Sequence, residues 1–417
     1  MTSSAHLLIA PRPGPPAVDR SQTLKVLVAT VLGTMDTNAL VPIIALYAAS
    51  RGADLIQVGI IVGMYSAVHA PANLLFGRVV DRWGRRRPLT IGLLWDGVSL
   101  FLYALAGNPL QLALVRASHG FGGGLVGPST MSLISDASTA ERKGRAMALY
   151  GMSIAVAVVI GFGIAGPIVH RFDYPALFVL LGLGLLAGAV VSATIREPAR
   201  ARGAASLVWE RLAAYLRRRE VVAGYSAIFG LYFALGAFTA LVPLFLQASL
   251  GYGPLEVGLS FFVFALLSLL LHYPAGILSD RFGSAVPAFL GLLAISAAMA
   301  LIPLARDTGS LLLLMGLFGV GHGFVFPSSS ALVTRGAAGD NTGLVTGLFY
   351  AVLVGGVALG APIMAAVASP SNYALGIWGS AWVPLLAVVP VLLVLVGPSS
   401  SKGIRPASTS SNESGDP

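Results

Sequence analysis

The amino-acid sequence predicts an all-α membrane protein in which twelve transmembrane helices form two related six-helix bundles. Three observations predict this fold class: the composition, a series of long apolar runs and an internal repeat. Of the 417 residues, 56% are hydrophobic and only 10% are charged, and the mean hydropathy is +0.83. A soluble protein has about 25% charged residues, so this composition excludes a soluble enzyme.

The apolar runs define the individual helices. A membrane-spanning helix needs about 20 mostly apolar residues, whereas the strands of a transmembrane β-barrel give only short alternating segments. The 50 Gly and 25 Pro residues fit closely packed or interrupted transmembrane helices. The predicted segments are 25–49, 57–76, 88–107, 109–133, 145–171, 175–195, 221–248, 255–277, 285–305, 309–334, 342–368 and 374–397.

One long, Arg-rich connection divides these segments into two groups of six. The N-terminal tail is polar and Pro-rich and lacks the apolar core of a signal peptide, and the C-terminal tail is polar and rich in Ser. The predicted organisation is a tail at 1–24, a bundle at 25–195, a linker at 196–220, a second bundle at 221–397 and a tail at 398–417.

The basic residues predict the orientation in the membrane. If both tails are cytoplasmic, 22 of the 26 Lys and Arg residues lie in cytoplasmic segments and three lie in outer loops, while Arg116 lies within a helix. Because positive residues accumulate on the cytoplasmic side, we expect a multi-pass protein of the plasma membrane with both termini in the cytoplasm. This distribution explains the net charge of +9 without nucleic acid as a partner.

The two halves of the chain contain an internal repeat. Residues 39–42 recur at 240–243 with an offset of 201, and residues 119–121 recur at 322–324 with an offset of 203. Such repeats predict two bundles related by an axis along the membrane normal. A third match has a constant offset of 199 and pairs Val58, Gly59, Gly77, Asp81, Arg82 and Gly84 with Val257, Gly258, Gly276, Asp280, Arg281 and Gly283.

The loop at residues 77–87 resembles the signature loop between the second and third helices of the major facilitator superfamily. Its second copy at 276–283 lacks the basic run that follows Gly84. The resemblance covers nearly the whole chain and implies the superfamily fold, no cofactor and a conformational latch that stabilises the outward-facing state. A basic topology loop without a mechanistic part is the alternative. The implied gating residues are Gly77, Asp81, Arg82, Gly84, Arg85, Gly276, Asp280, Arg281 and Gly283.

Ionisable side chains inside apolar segments are energetically costly and are therefore candidates for function. Asp, Glu and His do not cluster with the spacing of metal ligands, so the sequence predicts no metal site. The chain has no Cys, which excludes disulfides and thiolate sites. The ionisable residues within the segments are Asp36, His69, Asp96, Arg116, His119, His272 and His322.

Asp36 and Asp96 are the candidate proton-binding groups. Asp36 lies about 11 residues, or roughly 16 Å at 1.5 Å per residue, into the first segment and therefore near the middle of the membrane. It is close to polar Asn38 and helix-breaking Pro42. A structural hydrogen-bond anchor is the alternative role for Asp36. Asp96 could relay protons, meet a cationic substrate or pair locally.

Arg116 and two histidines complete the candidate site. Arg116 precedes His119 and a Gly-rich stretch, which is similar to a fourth-helix motif of the superfamily whose Arg has been assigned a part in proton coupling. Because Arg stays protonated, it either tunes a neighbouring acid or binds an anion, unless it reaches the headgroups. His119, His322 and Asn38 are predicted to line a central substrate cavity, although each His is equally suited to a hydrogen bond between helices.

The predicted function is secondary transport by a monomer. We expect alternating access and proton-coupled efflux of drug-like, apolar or weakly cationic compounds, because the first segment and the Gly-rich stretch ending at Pro167 resemble motifs of drug/proton antiporters. Ile168 and Val169 depart from that pattern. A metabolite or sugar symporter, a facilitator and a lipid flippase stay open. We expect no enzyme, since Ser129 or Ser132 with His119 lacks a nucleophile elbow.

Overall fold

The computed structural model describes residues 20–136, 143–197, 215–334 and 342–397. These residues form α-helices, one 3₁₀ helix and an isolated β-bridge between Ser369 and Asn372, and they contain no β-strand. The side chain of Asp81, the middle of the predicted linker and most of both predicted tails lie outside the described residues. The all-α fold class is confirmed.

The helices follow the predicted apolar segments in order. A 3₁₀ turn at Ile302–Leu304 extends the helix at Ala285–Leu301. The first half contains α1 (Arg20–Leu40), α2 (Ile44–Ser50), α3 (Leu55–Trp83), α4 (Arg86–Leu105), α5 (Pro109–Asp136), α6 (Lys143–Phe172) and α7 (Tyr174–Ala193). The second half contains α8 (Arg219–Leu250), α9 (Pro254–Phe282), α10 (Ala285–Leu301), α11 (Thr308–Thr334), α12 (Thr342–Val367) and α13 (Tyr373–Val396).

The first predicted segment is a broken helix. The axes of α1 and α2 differ by 52° across a short break, and Pro42 lies in this break. Proline has no N–H to donate and its ring clashes with the preceding turn, so it commonly breaks a helix. The repeat-related Pro243 lies inside α8, which is continuous. The break therefore distinguishes the two halves of the repeat.

The apolar character of the helices is uneven. By length and composition, ten helices in the described part of the chain can cross a membrane, and the bent pair of α1 and α2 gives an eleventh. The helix outside this group is α5, which has 28 residues and carries Arg116, His119 and several glycines. The long helix that falls below this threshold is therefore one that carries two candidate site residues.

Helix packing follows the internal repeat. In the first half, α5 packs against α3 and α4, and α1 packs against α6; in the second half, α11 packs against α9 and α10. The halves meet mainly where α3 contacts α12 and where α6 contacts α9. Because α9 is the repeat-related copy of α3, these two contacts are related by the pseudo-twofold axis.

One end of the molecule carries most of the Lys and Arg residues in the described part of the chain, and we call it the basic face. Lys25 Nζ donates to Thr194 O at 3.4 Å, and the Arg196 amide donates to Gln22 Oε1 at 2.8 Å. The opposite end, which we call the far face, contains Asp54 at the start of α3. α1 thus begins at the basic face and ends toward the far face.

The two halves are in close contact near the far face. A β-carbon at Gly59 of α3 would lie 2.6 Å from Ala365 Cβ of α12, and one at Gly166 of α6 would lie 2.7 Å from Pro254 O of α9. Real β-carbons essentially never lie closer than 3.0 Å to other heavy atoms, so glycine is what allows these approaches. The far face is therefore closed.

Toward the basic face the halves separate. Gly77 lies 18 residues after Gly59, which is five turns of 3.6 residues, so both residues are on the same side of α3. A β-carbon at Gly77 would meet nothing within 4 Å. The same spacing in α9 separates Gly258, which contacts Gly166, from Gly276, which is open. Among the residues that the structure describes, the space beside Gly77 and Gly276 is therefore open toward the basic face.

Candidate functional site

A buried chain of four polar side chains connects α1, α4 and α5. His119 Nε2 lies 2.7 Å from Asp36 Oδ2, and His119 Nδ1 lies 3.3 Å from the Tyr103 hydroxyl. Arg116 Nη1 donates to that hydroxyl at 3.4 Å. The exposed fractions of the four residues lie between 0% and 3%. The structure thus brings together Asp36, Arg116 and His119.

The hydrogen bonds in this chain run in one direction. Arg116 can only donate, so the Tyr103 oxygen accepts from it and its O–H is left to donate to His119 Nδ1. A neutral His119 then carries its hydrogen on Nε2 and donates it to Asp36. The chain therefore leads from a permanent positive charge to a carboxylate, an arrangement that can stabilise a negative charge on Asp36.

Tyr65 of α3 covers this chain. The Arg116 guanidinium lies 4.9 Å from the centre of the Tyr65 ring, within the range of a cation–π interaction. The same ring meets the His119 ring at 5.1 Å in an edge-on geometry, and Thr37 donates to the Tyr65 hydroxyl at 3.3 Å. Tyr65 therefore helps to shield the buried charges from water.

The glycines of α5 make this packing possible. A β-carbon at Gly120 would overlap the Tyr65 carbonyl oxygen, and one at Gly123 would lie 2.5 Å from the Tyr65 hydroxyl. A β-carbon at Gly122 would overlap Asp96 Oδ1 of α4. The Gly-rich stretch thus allows α3 and α4 to approach the polar face of α5.

Asp96 is buried but is separate from the hydrogen-bonded chain. Its exposed fraction is 2%, and its Oδ1 has no hydrogen-bond partner among the described residues. Asp36 Oδ1 and Arg116 Nε also lack partners within the described part of the chain. Buried polar atoms are usually hydrogen-bonded, so the two carboxylate oxygens are available to a proton or a donor group, and the Arg116 Nε–H is available to an acceptor.

Asn38, which was expected to line the cavity, lies where α1 meets α6. Its side-chain amide donates to Thr34 O at 2.7 Å. A β-carbon at Gly161 of α6 would lie 3.0 Å from Asn38 Cβ and 2.6 Å from Met35 O. The structure therefore shows Asn38 in a helix contact one turn from Pro42.

His322 has different surroundings from His119. Its Nδ1 lies 2.7 Å from Ser268 Oγ, and His272 Nδ1 donates to Ser268 O at 2.5 Å. His322 and His272 are half-buried, whereas His119 is fully buried. In this conformation His119 bonds within its own half, and the described contacts do not join it to His322.

The signature loop is anchored at the basic face. Gly84 has a φ of +92°, a backbone conformation that favours glycine. Arg85 Nε donates to Asp136 Oδ2 at 2.9 Å, and the Glu197 carboxylate accepts from the backbone N–H groups of Arg85 at 2.6 Å and Arg86 at 2.9 Å. In the second copy, Gly283 repeats the turn with a φ of +83°.

Sequence reasoning missed Tyr65, Tyr103, Asp136 and Glu197. A tyrosine inside an apolar helix carries a hydroxyl that needs a partner when buried, so the two tyrosines were a usable signal. The two acids follow the fourth and sixth apolar segments, on the side where the Arg-rich loop was predicted. Acidic residues on the same side as a basic loop are a signal for ion pairs or hydrogen bonds with that loop.

We expect Glu197→Ala to destabilise the protein by about 1 kcal/mol, because it removes a carboxylate that caps the first turn of α4 and interacts favourably with the helix dipole. Thermal unfolding in detergent measures this loss as a lower Tm. Glu197→Gln keeps one oxygen acceptor and should recover part of the loss. An unchanged Tm for Glu197→Ala would show that this cap contributes nothing.

The comparisons with known proteins agree with the fold. A model of the Major Facilitator Superfamily matches residues 26–253 and 224–413. An uncharacterized MFS-type transporter of Methanocaldococcus jannaschii is 22% identical over 80% of this chain and 88% of its own length. Among solved structures, a bacterial homologue of the human lysosomal transporter Spinster, inward-facing and unoccupied, has a TM-score of 0.79 at 15% identity and covers 92% of this chain and 98% of its own.

Two relatives with named activities match only part of the chain. Multidrug resistance protein 1 of Bacillus subtilis is 29% identical over 34% of this chain and 37% of its own length. The quinolone resistance protein NorA of Staphylococcus aureus is 23% identical over 53% of this chain and 57% of its own length. The chain thus matches between about a third and somewhat more than half of these relatives.

Proposed function

The chain belongs to the major facilitator superfamily of transporters, and on that premise we propose that it exports a small organic compound in exchange for protons. The observation that carries this proposal is the buried chain that ends at Asp36, because it connects a carboxylate to a permanent cation within the membrane. The names of the Bacillus and Staphylococcus relatives, which refer to multidrug and quinolone resistance, support export of drug-like compounds.

We assign the basic face and both tails to the cytoplasm, since positive residues favour that side. In this orientation the contacts at Gly59 and Gly166 lie toward the outside and the open space beside Gly77 and Gly276 lies toward the cytoplasm, which supports entry of a compound from the cytoplasm. The bundles at 25–195 and 221–397 then rock about the substrate path, which closes the gap beside Gly77 and Gly276 and opens the contacts at Gly59 and Gly166. The signature loop at the basic face would stabilise the outward-facing state that this movement produces.

Proton exchange at Asp36 reorganises the hydrogen-bonded chain. An ionised Asp36 accepts from His119 Nε2, and His119 Nδ1 accepts from Tyr103. A protonated Asp36 donates to Nε2 instead, so His119 takes the other tautomer with its hydrogen on Nδ1. One proton is gained, and it reverses the direction of the hydrogen bonds up to Tyr103. We propose that this change is coupled to rocking of α1 against α5.

Transport in inverted vesicles with and without an imposed pH gradient tests the function. The probes are neutral N-phenyl-1-naphthylamine, cationic ethidium, glucose and a fluorescent phosphatidylcholine. Gradient-driven accumulation of either dye is the expected result. Equilibration of glucose without a gradient would identify a facilitator, glucose movement with the protons a symporter, and transfer of the phospholipid between leaflets a flippase. Each of these three outcomes contradicts drug export.

A further inference from the structure

The internal repeat keeps one histidine but changes its neighbours. His119 and His322 are equivalent in the repeat, and each ring meets an aromatic ring edge-on. The partner of His119 is Tyr65 of α3 at 5.1 Å, and the partner of His322 is Phe264 of α9 at 5.6 Å. Tyr65 and Phe264 are themselves related by the offset of 199. The two histidines therefore occupy the same framework.

The partners of His119 are not repeated at the aligned positions of the second half, where the Ser268 hydroxyl is the polar partner of His322. With the offsets of the repeat, each polar position of the first half corresponds to an apolar residue of the second. The aligned pairs are Asp36 with Ala237, Asp96 with Ile295, Tyr103 with Ile302 and Arg116 with Gly319. The second half thus keeps the histidine but lacks the carboxylates and the arginine that accompany it in the first half.

Aromatic rings surround His322 in place of these partners. The Phe326 ring lies 6.1 Å from the His322 ring and is parallel to it within 4°, and the Tyr232 ring lies 5.8 Å away. The His272 ring is 6.0 Å away. We name this group the histidine–aromatic cluster, and its members are Tyr232, Phe264, Ser268, His272, His322 and Phe326.

The cluster faces the gap between the two halves. His272 is four residues before Gly276 and therefore lies on the same side of α9, the side that meets the first half near the far face. Phe264 contacts Phe162 of α6 at 5.8 Å across the interface between the halves. The cluster therefore begins where the halves separate.

The depth and accessibility of the cluster suit a substrate site. His322 is 14 residues after the start of α11, which has 27 residues, so it lies close to the middle of the helix. Tyr232, His272 and Phe326 are half-buried, as is His322 itself. Among the described residues, Nε2 of His322 makes no hydrogen bond, and it is not one of the buried unpaired atoms, so it is accessible to a ligand.

Formal charge is absent from this part of the molecule. Within the described helices of the second half, Asp, Glu, Lys and Arg occur only near helix ends, at Arg219, Glu220, Glu256, Asp280 and Arg281. A charged ligand at the cluster would lose water without gaining an opposite charge, which is unfavourable. A flat uncharged ring gains contact with aromatic faces and a hydrogen bond from the histidine.

We propose that the histidine–aromatic cluster is a binding site for uncharged planar aromatic or heteroaromatic compounds, with His322 Nε2 as the hydrogen-bonding group. The export direction of such compounds rests on the proposed function, but their binding does not. The division of roles follows from the repeat: the first half binds the proton and the second half binds the ring.

Binding of acridine and 10-methylacridinium to the purified protein in detergent at pH 7.5 tests this site. The two probes share one ring system, but only the second carries a permanent charge. We expect acridine to bind at least tenfold more tightly. Phe326→Leu and His322→Ala should each weaken acridine binding by about tenfold, the effect of one lost ring contact or hydrogen bond.

Tyr273→Ala is the matched control, because this neighbour of His272 is 77% exposed and lies on another side of α9. It should leave the dissociation constant unchanged. Ser268→Ala, which removes the hydroxyl that holds His322, is a second variant if His322→Ala does not give a monodisperse protein. Unchanged acridine binding in the cluster variants, tighter binding of 10-methylacridinium or no acridine binding to the wild type would overturn the proposal.

These binding outcomes are independent of proton coupling. If the cluster variants bind acridine more weakly but the wild type shows no gradient-driven transport, the binding site is supported and proton-coupled export is contradicted. If gradient-driven transport is present but acridine binds equally to the wild type and all variants, proton-coupled export is supported and the binding site is contradicted.

Discussion

Asp36→Asn is expected to abolish transport against a concentration gradient while leaving the protein folded. Asparagine has nearly the same shape and its oxygen still accepts from His119 Nε2, so the contact between α1 and α5 is retained. The amide, however, cannot bind and release a proton. In proteoliposomes with an imposed pH gradient, the variant should equilibrate the transported dye across the membrane without accumulating it.

Asp54→Asn is the matched control for this experiment. Asp54 caps α3 at the far face, where its side chain accepts from the Gln57 amide, and asparagine is an equally good cap. This variant should accumulate the dye as the wild type does. Accumulation by Asp36→Asn at the wild-type level would sink the proposal that Asp36 is the coupling carboxylate.

Single-cysteine labelling should give an almost all-or-none difference between positions in the open space near the basic face and a position in the helix contact near the far face. The chain has no Cys, so each introduced thiol is the only one present. Gly77→Cys and Gly276→Cys lie where nothing is within 4 Å, and both should react fully with a water-soluble maleimide. Ala365→Cys, buried against Gly59, should stay unlabelled.

The orientation of the protein can be read from the same variants in right-side-out vesicles. A membrane-impermeant maleimide added outside should not reach Gly77→Cys, and opening the vesicles should restore labelling. Rapid reaction from the outside would contradict a cytoplasmic basic face. Rapid labelling of Ala365→Cys together with protection of Gly77→Cys would mean that the resting protein is open on the far side.

The course of the chain follows closely from the sequence because a membrane leaves few alternatives. A lipid-embedded backbone must satisfy its own hydrogen bonds, so each long apolar run becomes a helix. The signature loop and its copy at Gly276 were sufficient to expect two related bundles. The break in the first helix was signalled by Pro42, but Pro243 shows that proline alone does not decide where a helix breaks.

The partners of the buried charges could not be derived in the same way. Tyr103 meets Arg116 and His119 because α4 packs against α5 with one particular rotation about its axis. The spacing of apolar residues does not determine this rotation when a helix is apolar on all sides. The identity of the residue that Arg85 binds was equally inaccessible. Asp136 is 51 positions away, and several acids border the same loop.

The repeat does not determine the surroundings of its two matched histidines. His119 and His322 were expected to line one cavity because their sequence contexts match, but His119 is fully buried among its own partners. The signal for a difference was already in the sequence, since Ala237 and Gly319 replace Asp36 and Arg116. Comparison of the aligned neighbours is therefore more informative than the matched histidines alone.

The central claim, that Asp36 binds and releases the coupling proton, is tested most directly by infrared difference spectroscopy of the purified protein during a change of pH. Acidification should produce a carboxylic acid carbonyl band that is missing in Asp36→Asn and retained in Asp96→Asn. A band that persists in Asp36→Asn, or a wild-type spectrum without any such band across the pH range in which transport operates, would show that Asp36 does not carry the coupling proton.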